Sequence, residues 1–201
     1  DAYHPTTPDP RGQGVYRTLH AALSDSGLAL AEIGCINAHG SGTEANDKAE
    51  SKGIAKFLGP HAVPAVSTKS FFGHCMGVTG IIEATSQLLA MNAGFIPPTL
   101  NFSEPRPGCA LDYVPNQARA KTYHSFISAN YAFGGNNAAV VVSKWDAPVR
   151  PRPRAPERVV ITGLGTVSAL GLGIQTTLGQ LRRNATGIGP VTRFPLNGAR
   201  S

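Results

Sequence analysis

Three times in the first 137 residues, a short apolar stretch suited to a β-strand runs straight into a cluster of glycine, hydroxyl and ionisable residues. Ile33-Gly34-Cys35-Ile36-Asn37-Ala38 leads into His39-Gly40-Ser41-Gly42-Thr43. Val63 to Ser67 leads to Lys69 and the turn Phe72-Gly73-His74. Tyr123 to Asn130 leads to Tyr131-Ala132-Phe133-Gly134-Gly135-Asn136-Asn137. Helical patterns lie between them: Gly14 to Ser26 with Val15, Leu19, Ala22 and Leu23 on one face, Glu44 to Leu58 ending at Gly59-Pro60, and Val78 to Asn92 with Val78, Ile81, Ile82, Thr85, Leu88 and Leu89 at i, i+3, i+4, i+7 spacing. Gly27 and Gly94 supply the stops. Strands alternating with amphipathic helices predict an α/β layered fold, and in such folds ligands gather at the carboxyl ends of strands. Tyr123–Asn130 and Ala138–Trp145 read as paired strands around a Gly-Gly-Asn-Asn turn. Residues 1–12 read as an ordered loop, and Pro97 to Pro115 as a long irregular stretch.

Each cluster has a chemical reading and a plain one. His39 is followed by small residues, and glycine lets a backbone and a ligand approach closely; taken alone, a histidine so placed is more often structural. His74 precedes a helix, whose positive end favours a neutral imidazole able to donate to a developing oxyanion. Lys69 in an apolar turn needs a partner, and Glu83 is the candidate; the pair by itself reads equally well as a structural ion pair. Phe133 before two glycines suits a mobile ring with a backbone N–H facing a ligand, while a tight hairpin explains the glycines without it.

The net charge of +6 suggests nucleic acid only until its distribution is read. Through Asp146 there are 10 basic and 11 acidic residues; from Ala147 onward, 8 arginines face Glu157 alone. The excess belongs to a linker, 146–157 (DAPVRPRPRAPE), whose Pro/Arg alternation favours an extended chain. Cys35, Cys75 and Cys109 form no C-x-x-C pair, which disfavours a disulfide framework or a zinc site and suits a reducing cytoplasm. The sequon at Asn184-Ala185-Thr186 has no meaning there. No apolar run approaches the roughly 20 residues of a membrane span, and the start at Asp1 has no signal-peptide pattern.

Taken together, N-A-H-G-S-G-T-E-A-N-D, S-T-K-S-F-F-G-H and N-Y-A-F-G-G-N-N, in that order, resemble the C-terminal half of the β-ketoacyl-[acyl-carrier-protein] synthase family, of thiolase-like fold. D-A-Y-H-P-T-T-P-D-P and I-P-P-T-L-N resemble it as well, so the likeness runs over residues 1–145. The resemblance implies that His39 and His74 hold a malonyl thioester and promote its decarboxylation, that Lys69 and Glu83 support them, and that Phe133 is the gating phenylalanine whose N–H is an oxyanion donor. Thr6 and Thr43 match positions contacting phosphopantetheine. It also implies an acyl carrier protein bearing acyl and malonyl groups, a homodimer or tandem ketosynthase unit, and no metal or organic cofactor, nucleic acid or membrane insertion.

Several positions depart from the family pattern. Ser41 and Gly42 stand where threonine and serine are usual, Tyr131-Ala132 replaces Phe-Gly, and Asn136 replaces threonine. The family's nucleophilic cysteine lies in the N-terminal half, upstream of these residues. Cys75, next to His74, falls where the family has an apolar residue and is not expected to replace it. Residues 157–171 and 186–190 resemble the start of a second ketosynthase unit, with a helix over 174–183; the dinucleotide reading of Gly163-x-Gly165 fails on glycine spacing and on the missing acidic residue. That second first-strand is alternatively one that completes the sheet of the first unit. The expected organisation is thus 1–145, a linker at 146–157, and 158–201. A non-condensing partner subunit of the chain-length-factor kind is the alternative function, and an RNA-binding arm a third.

Overall fold

A computed structural model describes residues 3–144, 163, 165–168, 170–183 and 185–186. The chain divides into two units, Asp1–Pro153 and Arg154–Ser201. The linker expected at 146–157, residues 158–162 of the first strand expected for the second unit (158–163), and the segment 187–190 lie outside the described residues.

In the first unit the elements run α1 (Gln13–Ser26), β1 (Cys35–Asn37), α2 (Glu44–Leu58), β2 (Ala65–Val66), the single turn α3 (Lys69–Phe72), α4 (Thr79–Asn92), β3 (Phe95–Ile96), β4 (Arg119–Ala120), β5 (Ser125–Ala132) and β6 (Asn136–Ser143). One sheet has the order β2-β1-β5-β6. Its first two pairings are parallel, with Asn37 opposite Val66 and Ser128, and the last is antiparallel. β3 and β4 form a separate antiparallel pair.

Alternation along the strands sends side chains to two cores. On one face Ile36 and Ile127 join Val15 and Leu19 of α1 and Ile54 of α2. On the other, Cys35 and Phe126 join Met91 of α4, Ile96, Val114 and Tyr123. The sheet therefore lies between helices, a mixed α/β layer arrangement.

Local signals account for the helix ends. Thr43 caps α2, its hydroxyl accepting the Asn46 N–H at 3.3 Å, with Glu44 and Asp47 in the first turn. Gly27 ends α1 with φ 71°, a conformation that favours glycine. The Gly94 N–H bonds to the Met91 carbonyl just past α4.

Two expectations are revised. The apolar stripe of α4 does not face the core: Ile81 and Leu89 are 65% and 64% exposed, whereas Thr79, Glu83, Gln87, Ala90 and Met91 are buried. Inward orientation is set by polar contacts, Glu83 to Lys69 and Gln87 to the Tyr123 hydroxyl at 2.6 Å. The hairpin pairs as expected, Asn130 opposite Ala138, but its turn is tighter than the Gly-Gly-Asn-Asn reading, since each strand runs two residues further into it. Gly134 and Gly135, both at positive φ, complete the reversal, so Asn136 and Asn137 enter β6 opposite Ala132 and Tyr131.

The second unit shows β7 (Val167–Ser168) paired antiparallel with β8 (Gly171–Leu172), then α5 (Ile174–Arg182). The helix expected over 174–183 is present.

α1 and α2 approach closely at Gly12 and Gly53. A Cβ on Gly53 would stand 2.5 Å from Val15 Cβ and 2.7 Å from the Gly12 carbonyl oxygen. Overpacking of this kind costs about 1–3 kcal/mol. Gly53→Ala is expected to lower the unfolding free energy by that amount in urea titration; an unchanged midpoint and slope would show that the helices separate freely.

Candidate active site

Parallel pairing brings the carboxyl ends of β1, β2 and β5 to one edge of the sheet, and every cluster picked out in the sequence begins there. His39 stands two residues beyond β1 and is buried. Its backbone is held by Glu50 of α2, whose carboxylate accepts the His39 N–H at 2.7 Å, the Gly40 N–H at 2.8 Å and the Asn46 amide at 2.9 Å. Burial raises the Glu50 carboxyl, and these three donors and the Lys69 charge oppose that rise. Gly40 has φ 48°, and a Cβ there would collide with the Ser67 side chain. The β1 loop thus lies flat against the β2 loop.

Lys69 opens α3, directly after β2, and is buried. Its Nζ lies 2.7 Å from Glu83 Oε1, with the two side chains 5% and 2% exposed. The second Glu83 oxygen accepts the Asn130 amide at 3.0 Å. Burial raises the Glu83 carboxyl, while Lys69 stabilises its charged form. Asn130, near the end of β5, sits with Oδ1 3.2 Å from His39 Nδ1, completing a connected path from Lys69 to His39.

The His39 and His74 rings are edge to face with centroids 5.4 Å apart. His74 Nδ1 accepts the Met76 N–H at 3.1 Å and lies 3.2 Å from the Thr79 hydroxyl. A backbone N–H only donates, so a neutral His74 carries its proton on Nε2. The donor opens the short 3-10 turn Met76–Val78, which runs directly into α4, so His74 stands just before a helical start. The Tyr131 ring also lies against His39, tilted by 73°, with centroids 5.9 Å apart. Burial, the Lys69 charge and the neighbouring His74 lower the pKa of His39 to about 4, so it is neutral near pH 7.

Phe133 occupies the β5–β6 turn and is 74% exposed. The turn is tied to the N-terminal segment by the Gly134 N–H, which donates to the Pro5 carbonyl at 2.6 Å. That bond brings the segment carrying Thr6 beside the Phe133 turn; Thr6 itself is exposed. Thr43 is exposed too, but its hydroxyl is engaged as the α2 cap and lies 3.4 Å from the Ser41 hydroxyl. A cavity of about 560 Å3 lies beside the β1 loop, between α2 and residues 99–113, lined by Gly40, Glu50, Ser67 and Arg106 among others; neither histidine lines it.

The structure therefore joins His39, His74, Lys69 and Glu83 in one cluster. Sequence reading missed Glu50 and Asn130. Glu50 left a signal, a carboxylate in register with Asn46, Ala49, Gly53 and Ile54 on the buried face of α2; Asn130 left none. Among the described residues no group of three His, Cys, Asp or Glu is placed to hold a metal ion. Cys35 and Cys109 are buried, and burial pushes the Cys35 thiol up to about 12, which makes it inert. No described helix is long and apolar enough to cross a membrane.

The mixed sheet packed by helices, with this cluster at its carboxyl edge, is that of the thiolase-like fold of ketosynthases. Residues 1–103 match the C-terminal domain of β-ketoacyl synthases, and the chain belongs to that family. It is 44% identical over 147 residues to 3-oxoacyl-[acyl-carrier-protein] synthase 2 of Synechocystis sp., and 40% identical over 146 residues to the tetracenomycin polyketide synthase ketoacyl synthase alpha subunit of Streptomyces glaucescens. Each match covers 72% of this chain, and 35% and 34% of the respective relatives, so the chain spans about a third of their length. Among solved structures, the ishigamide ketosynthase/chain length factor superposes with a TM-score of 0.69 at 41% identity, covering 72% of this chain and 36% of that one. A β-ketoacyl synthase from Burkholderia phymatum STM815 gives 0.68 at 36%, covering 72% and 35%.

Two outcomes follow from the charges. His39 is lowered from 6.5 to about 4, so the unfolded chain binds the proton more readily than the fold does. Its contribution to stability is complete above pH 6.5 and is lost as pH falls towards 4. His39→Gln is expected to flatten the stability profile across that window, measured by denaturant titration at stepped pH; an unchanged slope would mean that the ring is not desolvated. Lys69→Met leaves Glu83 buried and unpaired, a loss of about 3–5 kcal/mol. Lys69→Met combined with Glu83→Leu is expected to recover most of this, and equal instability of single and double variants would contradict the pairing.

Proposed function

We propose that this chain supplies the two histidines, the lysine–glutamate pair and the gating loop of a decarboxylative Claisen condensation, as part of a larger β-ketoacyl synthase. The observation that carries this is the meeting of two imidazoles, 5.4 Å apart, beside a buried ion pair at the carboxyl edge of the parallel strands. His74 offers an Nε2–H to the thioester oxygen of a malonyl group. Cleavage of the bond between the α-carbon and the carboxylate releases CO2, and its electron pair passes into the thioester as an enolate, whose oxygen the donor stabilises. The α-carbon then attacks an acyl thioester, forming the new C–C bond and expelling a cysteine thiolate.

That cysteine belongs to the two thirds of the relatives' length that this chain does not span. Phe133 acts as the gate, its N–H serving the second oxyanion. An acyl carrier protein brings the malonyl and acyl groups on phosphopantetheine, past Thr6 and Thr43, and the intact protein pairs with a second ketosynthase-type unit. The relatives support this reading: one solved neighbour is described as an acyl-carrier protein in complex with its ketosynthase, at 32% identity. We assign residues 1–145 to this unit, 146–157 to a linker and 158–201 to the start of a second unit.

A chain-length-factor role is the second reading, since such subunits occur among the solved neighbours. The buried Lys69–Glu83 pair weighs against it, because a subunit that only shapes a cavity gains nothing from charges held out of water. In the complete synthase, His74→Ala is expected to abolish CO2 release from malonyl-carrier protein. Release at the unaltered rate would overturn the role of His74, and a glutamine at the nucleophile position would favour the partner-subunit reading.

A further inference from the structure

We propose that Asn130 fixes the tautomer of His39, holding the ring with its proton on Nδ1 and leaving Nε2 a bare acceptor. The two ends of an amide have nearly the same shape, so their identity follows from their neighbours. One end lies 3.0 Å from Glu83 Oε2. The other Glu83 oxygen already receives Lys69, and a carboxylate paired with an ammonium only accepts, so this end of Asn130 is the NH2. The end 3.2 Å from His39 Nδ1 is therefore the carbonyl. A carbonyl accepts only, so Nδ1 must carry hydrogen. A neutral imidazole holds one such proton, and Nε2 has none.

The proton order is thus imposed from outside the ring, by Lys69 through Glu83 and Asn130. The other groups facing His39 fit that order. Lys69 and His74 disfavour a second proton on the ring, as does burial. Glu50 engages only the backbone of His39 and Gly40, and Tyr131 meets the ring by its edge. His74 is opposite in character, since Met76 occupies its Nδ1 and leaves an Nε2–H.

Two rings of the same residue type, 5.4 Å apart, are therefore unequal: one donates at Nε2, the other accepts there. The consequence for chemistry rests on the decarboxylation reading. His74 is the group that can donate to a thioester oxygen, and His39 the one that can receive a hydrogen bond or a proton from a substrate or water molecule. Asn130 is a positioning residue, acting through His39.

Ring nitrogen shifts in 15N-histidine NMR of the 201-residue chain near pH 7 decide the matter. His39 is expected as the Nδ1–H form. Asn130→Leu keeps the volume but removes the acceptor, and is expected to let the Nε2–H form appear. Asn130→Asp keeps the acceptor and adds charge; it should retain Nδ1–H and raise the pH at which His39 protonates by about 1–3 pH units. An Nε2–H His39 in the parent chain, or an unchanged tautomer in Asn130→Leu, overturns the proposal. If the leucine variant does not fold, an unmoved protonation midpoint in Asn130→Asp overturns it alone. Because these readouts do not depend on turnover, a synthase that fails to release CO2 would refute the catalytic reading while leaving this one standing.

Discussion

Parallel pairing of β1 with both β2 and β5 is the constraint on which everything else depends. With Asn37 level with Val66 and Ser128, the loops that follow all three strands leave from the same edge. An antiparallel β5 would have sent Asn130 and Phe133 to the far end of the sheet. The short strands suffice because each is buried on both faces, with Cys35 and Phe126 in one core and Ile36 and Ile127 in the other. A slip of one residue would exchange those cores and turn the site residues away with them.

The site carries an unusual load of buried polarity for so small a sheet. Glu50, Lys69 and Glu83 are all withdrawn from water, and each is compensated by specific donors or acceptors rather than by solvent. Compensation is not complete: among the described residues Asn37 Oδ1, Gln87 Oε1 and the Tyr131 hydroxyl are buried with no hydrogen-bond partner. Two of the three belong to side chains bound at their other end, Asn37 to Thr68 and to the Glu83 carbonyl, and Gln87 to Tyr123. The polar framework behind the histidines is therefore specified by a few bonds of long sequence separation, and the two apolar cores must stabilise it.

That separation explains what was legible in the sequence and what was not. The bounds of α2, Glu44–Leu58, could be read because Thr43 and Gly59-Pro60 act on their own neighbours. The clusters after β1, β2 and β5 could be read because strand ends and glycines are local features, and the family motifs lie there. The buried face of α4 could not. Periodicity announces an apolar stripe, but the choice of face was made by Glu83 finding Lys69 fourteen positions away. Asn130 is further still, 91 residues from His39, and its amide has no sequence signature until β5 lies against β1. The register of the hairpin could be read, but not the extent of its turn, because Asn and Gly both suit turns, and only the positive φ of Gly134 and Gly135 separates them from Asn136 at φ −77°.

The β5–β6 turn departs from the family pattern at Ala132, where glycine is usual, and the conformation shows what that substitution constrains. Ala132 is extended, with φ −126° and ψ 162°, and pairs with Asn136, so a methyl group costs nothing in this state. What it removes is access to the left-handed region on the N-terminal side of Phe133. The two residues that do occupy that region, Gly134 and Gly135, lie on the C-terminal side. The glycines with backbone freedom around Phe133 thus lie after the aromatic residue, next to the Gly134 bond to Pro5, while Tyr131 and Asn130 before it contact His39. The conformational freedom of the turn is thereby separated along the chain from the residues that contact the imidazole.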